Sequence, residues 1–385
     1  MAQHRNRDRM RPPGYVSPLR HKGNGAISYK AYVQQKRLAL MRSLVGKSPI
    51  YLDLKFWIDL LGARDATSGV FSELLELLRR GVRLGRLFCP ISESVLHEVQ
   101  KQSDPITRQA TAELIDELSL GVSLMSLEEL VSAEMAHLIL TKTGLGTISP
   151  ADRFAFSKIG AVAAYAGPPE FPESPMKRRM IQKAYFDMIW NMSLANLLDT
   201  LGDQSSKPKP WAKLASDLNA TNKENAAEIT SFDALYADEA RGALDGLQGA
   251  ALRVVDEIVQ EATGRSPSRR PEDEAVASRL WAGILSAALV NGQARDLLPT
   301  LHVHASLHAM VRWDKNRKFK PNDFYDFHHA AGALGHCEVF FTEGPLRSLI
   351  TAGPCKLAQT FGREVATTAP EAIQIVRGRL ADLQG

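Results

Sequence analysis

The feature that most constrains this chain is a split one. Short apolar, β-branched segments alternate with helical periodicities at its two ends, while a long middle stretch has helical periodicity alone. At the front lie "PIYLDL" (49–54) and "LFCPIS" (87–92), with "GVSLMS" (121–126) as a third candidate strand; "EVFFTE" (338–343) comes far downstream. Such alternation predicts a mostly parallel sheet, because parallel neighbours need a crossover connection. Helices are expected from "AYVQQKRLALMRSLVG", "FWIDLLGA", "VFSELLELLRRGVRLG", 105–119 and "DFYDFHHAAGALGH" (323–336), and from "ESVLHEVQKQ", where Ser92 is the N-cap. From about 128 to 310 the chain is rich in Ala, Leu, Glu and Arg, broken by "GPPEFPESP", "DQSSKPKP" and "GRSPSRRP". The expected architecture is a three-layer α/β/α domain carrying a large all-helical insertion. Residues 31–130 and 311–385 form the domain, C-terminal tail included, and 131–310 the insertion.

Composition narrows the class. A chain of 385 residues with 44% hydrophobic and 23% charged residues is globular and long enough for two units. No apolar run approaches the ~18 residues of a membrane span. The first residues carry charge without an apolar h-region, so no secretory signal is expected. Cys89, Cys337 and Cys355 lack metal-type spacing and fit a reduced cytoplasm. The net charge of +4 is mild, but its distribution is uneven. Residues 1–30 hold seven Lys/Arg against one Asp and read as a disordered basic tail. In "RWDKNRKFK" (312–320), Arg312, Lys315, Arg317, Lys318 and Lys320 face one acid, a cluster suited to a polyanion.

Several motifs are absent. "GKS" (46–48) would need Gly at position 41 for a phosphate loop, and Met41 is there. "GNG" (23–25) lacks the third glycine and preceding strand of a dinucleotide site, and neither G-x-S-x-G nor H-E-x-x-H occurs.

Carboxylates, by contrast, fall at consistent places. Functional groups of a parallel sheet gather at the carboxyl ends of its strands. The first strand ends at Asp53; Glu98 follows the second on a helix; the last ends with Thr342 and Glu343. The helix before it opens with Asp323 and Asp326, and Asp326 shares a face with Ala330, Ala333 and Leu334, the side expected to pack inward. His328 and His329 beside it are expected to support the acids from the core. Clustered carboxylates repel unless hard cations such as Mg²⁺ or Mn²⁺ neutralise them, and oxygen-only donors argue against zinc. Such ions activate water and stabilise a leaving oxygen in phosphodiester cleavage.

These segments together resemble the PIN domain family of metal-dependent nucleases, which includes the toxin ribonucleases of bacterial toxin–antitoxin pairs. "IYLDLKFWIDLL" resembles the family's first strand and acid (Asp53), "ISESVLHEV" its second acid (Glu98), "DFYDFHHAAGAL" its Asp-led helix (Asp326, with Asp323 as an extra), and "VFFTEGPL" its closing strand (Glu343). The resemblance covers roughly 48–130 and 312–350. Lys55 stands where many members have Asn, and Gly344 where many have the final Asp. It implies a Mg²⁺- or Mn²⁺-dependent ribonuclease with Asp53, Glu98, Asp326, Glu343 and Asp323 as metal ligands, and Thr342 and His329 as accessories. RNA or single-stranded DNA is the implied substrate, held by the 312–320 cluster. Further expected partners are a second copy of the chain or an antitoxin-like protein. The alternatives are a non-catalytic PIN-like scaffold binding nucleic acid or protein, or the toxin of a toxin–antitoxin pair.

Overall fold

The computed structural model describes residues 15–381, leaving aside 65, 67, 145–154, 165–166, 203–210, 228, 266, 269 and 294. The chain is mostly helical around a small sheet. Six short strands occur among the described residues: β1 (Ser48–Leu52), β2 (Leu87–Phe88), β3 (Val122–Leu124), β4 (Phe156–Lys158), β5 (Val339–Phe341) and β6 (Glu364–Ala366). Four of them form a sheet in the order β2-β1-β5-β6, every neighbouring pair parallel. The two ends of the chain therefore meet at its centre, where Tyr51 lies beside Phe340 and Leu52 beside Phe341.

Ile50, Tyr51 and Leu52 are all fully buried, which a strand achieves only with both faces covered. Side chains alternate between faces, so the register assigns the covering helices. Leu87, level with Ser48 and hence on the Ile50 face, meets Gly81 of helix Val70–Arg83; a Cβ there would lie 2.4 Å from Leu87 Cδ2. On the same face the Phe56 ring packs 5.3 Å from Phe341. The Tyr51 face is covered by helix Asp323–His336, whose His329 touches Tyr51. Helices thus cover both faces of the small parallel sheet.

The helix starts follow local chemistry. Ser92 caps Glu93–Gln100 by accepting from the Val95 N–H, and Ser126 forms a capping box with Glu129 at Leu127–Thr143. A second buried cluster, including Met135, Leu244, Leu285 and Leu301, joins the later helices of the middle segment, so that block has a core of its own.

Four expectations need correction. The middle segment is not all helical, because β4 pairs antiparallel with β3. The 121–126 segment stays outside the parallel sheet and is joined by an Ile91–Ser123 bridge to the chain that follows β2. The closing region is more than a tail: β6 is the sheet's fourth strand, and helix Ala369–Ala381 follows it, with Leu380 near Gly81. In the basic tail, residues 1–14 lie outside the described residues, but 15–28 pack. Pro18–His21 is a short 3₁₀ turn, and His21 is buried 3.4 Å from Asp187 and edge-on to Tyr32. No helix among the described residues is long and apolar enough to cross a membrane.

Candidate functional site

Helix Asp323–His336 runs antiparallel to the strand it feeds, so its first turns lie at the carboxyl edge of the sheet, where Asp53, Thr342 and Glu343 emerge. Asp53 is the N-cap of helix Leu54–Gly62 and accepts from the Phe56 N–H at 3.2 Å. Its own N–H donates to Phe341 O, which ties the start of that helix to β5. It is 8% exposed. Burial pushes its pKa up to about 6 and the nearby Glu343 charge adds to this, although His329, the Phe56 N–H and the Thr342 hydroxyl work in the opposite direction. Thr342, whose hydroxyl exerts that lowering effect, is itself buried.

Asp326 is half-buried, and its pKa is likewise pushed up to about 6. Burial is the main cause, and the charges of Glu98, Asp323 and Asp53 reinforce it against the lowering effect of His329. Asp53, Glu98 and Asp326 therefore share one electrostatic neighbourhood, with His329 at its centre. Glu98 accepts from His329 Nε2 at 2.9 Å. On the other side of the ring, Nδ1 lies 2.6 Å from the Tyr51 hydroxyl, which lies 2.6 Å from Ser92 Oγ. Since Glu98 can only accept, the Nε2 hydrogen is fixed. Burial works to lower the His329 pKa, but the Glu98 hydrogen bond and the charges of Glu98, Asp53 and Asp326 outweigh it, and the net shift is upward. Ser92 and Glu98 lie on one helical segment, so the chain Ser92–Tyr51–His329–Glu98 closes on itself and fixes the helix against the sheet. Sequence reading gave His329 a supporting role but missed Tyr51 and Ser92. A Tyr pointing out of a central strand toward the Asp-led helix was the available signal.

The other expected residues fall less centrally. Glu343 is exposed, caps helix Gly344–Ala352 without a side-chain bond, and acts electrostatically on Asp53 and Lys55. Asp323 is buried and already engaged: it accepts from the Lys320 N–H at 2.9 Å and lies 3.6 Å from Arg317 Nη2. Arg312 faces Glu239 at 2.5 Å and Asp238 at 3.5 Å, so its charge is neutralised within the fold. Lys315, Lys318 and Lys320 are exposed. Lys101, one turn beyond Glu98, holds its ammonium 3.9 Å from the centre of the Tyr325 ring.

Among the described residues, no group of three or more His, Cys, Asp or Glu is gathered tightly enough to hold a metal ion as the side chains stand. The donor chemistry nonetheless fits a hard divalent cation. Asp53 and Asp326 are oxygen donors whose charge is under-compensated, the condition that such a cation relieves. Compared with family models, curated proteins and solved structures, the chain matches none of them.

Proposed function

We propose that this chain is a PIN-like nuclease that cleaves RNA with Mg²⁺ or Mn²⁺. The observation carrying this reading is the convergence of Asp53, Glu98 and Asp326 at the carboxyl edge of a parallel sheet, two of them pushed to about 6 by burial and by like charge. Asp53 and Asp326 would hold the cation, joined by Glu98, with Glu343 at the rim. When bound, the cation supplies Lewis-acid polarisation of the phosphoryl group and activation of water. Thr342 orients Asp53, His329 positions Glu98, and Asp323 anchors the basic loop. Lys315, Lys318 and Lys320 meet the phosphate backbone, a salt-dependent and sequence-indifferent contribution. With Cys89, Cys337 and Cys355 all free thiols, the reading places the chain in the cytoplasm.

The test is cleavage of a single-stranded RNA with Mn²⁺ or chelator, by the wild-type protein, D53N and D326N. Metal-dependent cleavage is expected, reduced to background in both variants. His329→Ala should retain cleavage reduced by about 10–100-fold, the usual effect of losing a group that orients a ligand. Cleavage surviving both Asp substitutions would overturn the assignment. One observation favours a second reading, a non-catalytic PIN-like scaffold: the Glu98 carboxylate is bonded to His329, and among the described residues no gathered ligand set is present. Absence of both metal binding by calorimetry and cleavage would select it.

A further inference from the structure

Beside helix Trp211–Glu224 lies a groove of about 680 Å³, bounded on its other side by the end of helix Pro299–Trp313 and the loop that follows. Its wall is mainly apolar and basic, with the Asp314 carboxylate and the amides of Asn219 and Asn222 also lining it. Ile229, Val311 and Trp313 supply apolar surface, and the Trp313 indole is 41% exposed, held edge-on at 6.2 Å from Phe232. Lys223, Lys315 and Lys318 supply charge; all three are exposed, and among the described residues none is paired with a carboxylate. The loop is held in shape from both sides. Asn219 brackets Phe319, its Oδ1 accepting from the Phe319 N–H and its Nδ2 donating to the Phe319 carbonyl, both at 2.9 Å. Arg317, also in the groove wall, reaches Asp323 at the start of the helix that carries Asp326.

An exposed indole among unpaired lysines in a concave channel is the chemistry that binds one polynucleotide strand. Bases stack on the ring while ammonium groups follow the backbone. A duplex keeps its base faces stacked inside the helix, out of reach of such a ring. We propose that this groove binds single-stranded nucleic acid through Trp313, Lys223, Lys315 and Lys318, and delivers it toward the acidic centre. Delivery rests on the nuclease reading; binding does not.

The experiment is fluorescence anisotropy of labelled 12-nucleotide single-stranded RNA, single-stranded DNA and duplex RNA with the full chain in chelator, across a salt series. Either single strand should bind more tightly than the duplex. Trp313→Ala should weaken binding about tenfold or more, as expected for loss of a stacking platform. The triple variant K223A/K315A/K318A should lower the salt slope by about two, at ~0.7 per phosphate contact. K142A, on an exposed helix end that does not line the groove, should bind like wild type, and circular dichroism should show all variants folded. Equal affinity for duplex, or an unchanged salt slope in the triple variant, would overturn the groove. Cleavage assayed alongside binding separates the two readings: binding without cleavage by the wild-type protein leaves the groove standing and sinks the nuclease. Cleavage with unchanged KM in the triple variant does the reverse.

Discussion

At the scale of single residues, the carboxyl edge of the sheet holds charge against its own stability. Asp53 has a folded pKa of about 6 against an ordinary 3.8. Below the lower value both folded and unfolded chains carry the proton, and the group contributes nothing. Between the two values the unfolded chain releases its proton first, so the folded state loses stability as pH rises. Above about 6 the loss is complete, at about 3 kcal/mol for a shift of this size. Asn at this position still accepts from the Phe56 N–H as an N-cap but has no charge to desolvate. D53N is therefore expected to be more stable than wild type at pH 8 in chelator, the gap closing below pH 4. Urea unfolding at the two pH values measures it, and equal midpoints at pH 8 would show that Asp53 is under no such strain. Asp53, Glu98 and Asp326 were legible in the sequence because strand ends and an inward helical face place them. The Ser92–Tyr51–His329–Glu98 chain was not, because Tyr51 and His329 are 278 positions apart and only tertiary packing introduces them. Arg312 looked like a phosphate contact for the same reason: its neutralising partner Glu239 lies on another helix.

At the scale of elements, helix Pro299–Trp313 carries an unusual load of buried imidazoles. His302 accepts or donates at the Tyr236 hydroxyl, 2.6 Å away, and His304 stacks 4.6 Å from His308. Burial lowers the His302 and His304 pKa values to about 4, and pushes His308 well below its ordinary value. Histidines in the unfolded chain take up protons near 6.5, while His302 and His304 resist until about 4. Their contribution is therefore intact above pH 6.5 and is lost as pH falls toward 4, at roughly 3 kcal/mol for the buried His302. Urea midpoints at pH 7.5 and 5 should differ strongly in wild type and less in H302Q; an identical fall in both would remove His302 from the account. Long elements with strong local signals were legible: helix 323–336 begins and ends where its apolar face does, and Ser92 announced the helix after it. β4 ("FSK") and β6 ("EVA") were not, since three residues without an apolar run become strands only by meeting β3 and β5.

At the scale of the whole molecule, a buried fastening joins the helical block to the α/β layers. Glu134 and His336, both fully buried as side chains, lie 3.1 Å apart; Glu134 also accepts from the Thr300 N–H, and the Thr300 hydroxyl meets His336 at 2.8 Å. Removing one partner of such a group leaves the others buried and unpaired. Glu134→Ala is expected to cost about 3–5 kcal/mol, and hydrogen exchange should speed up in helices Leu127–Thr143 and Pro299–Trp313 before β1. Uniform acceleration would show that the fastening is not local. The central pairing of β1 with β5 has a consequence in time. During synthesis, Asp53 leaves the ribosome long before His329 and Asp326, and β1 has no inner neighbour until Val339–Phe341 emerge. Until then the sheet lacks its central pairing, and the carboxylates of its edge wait on the last third of the chain to be brought together.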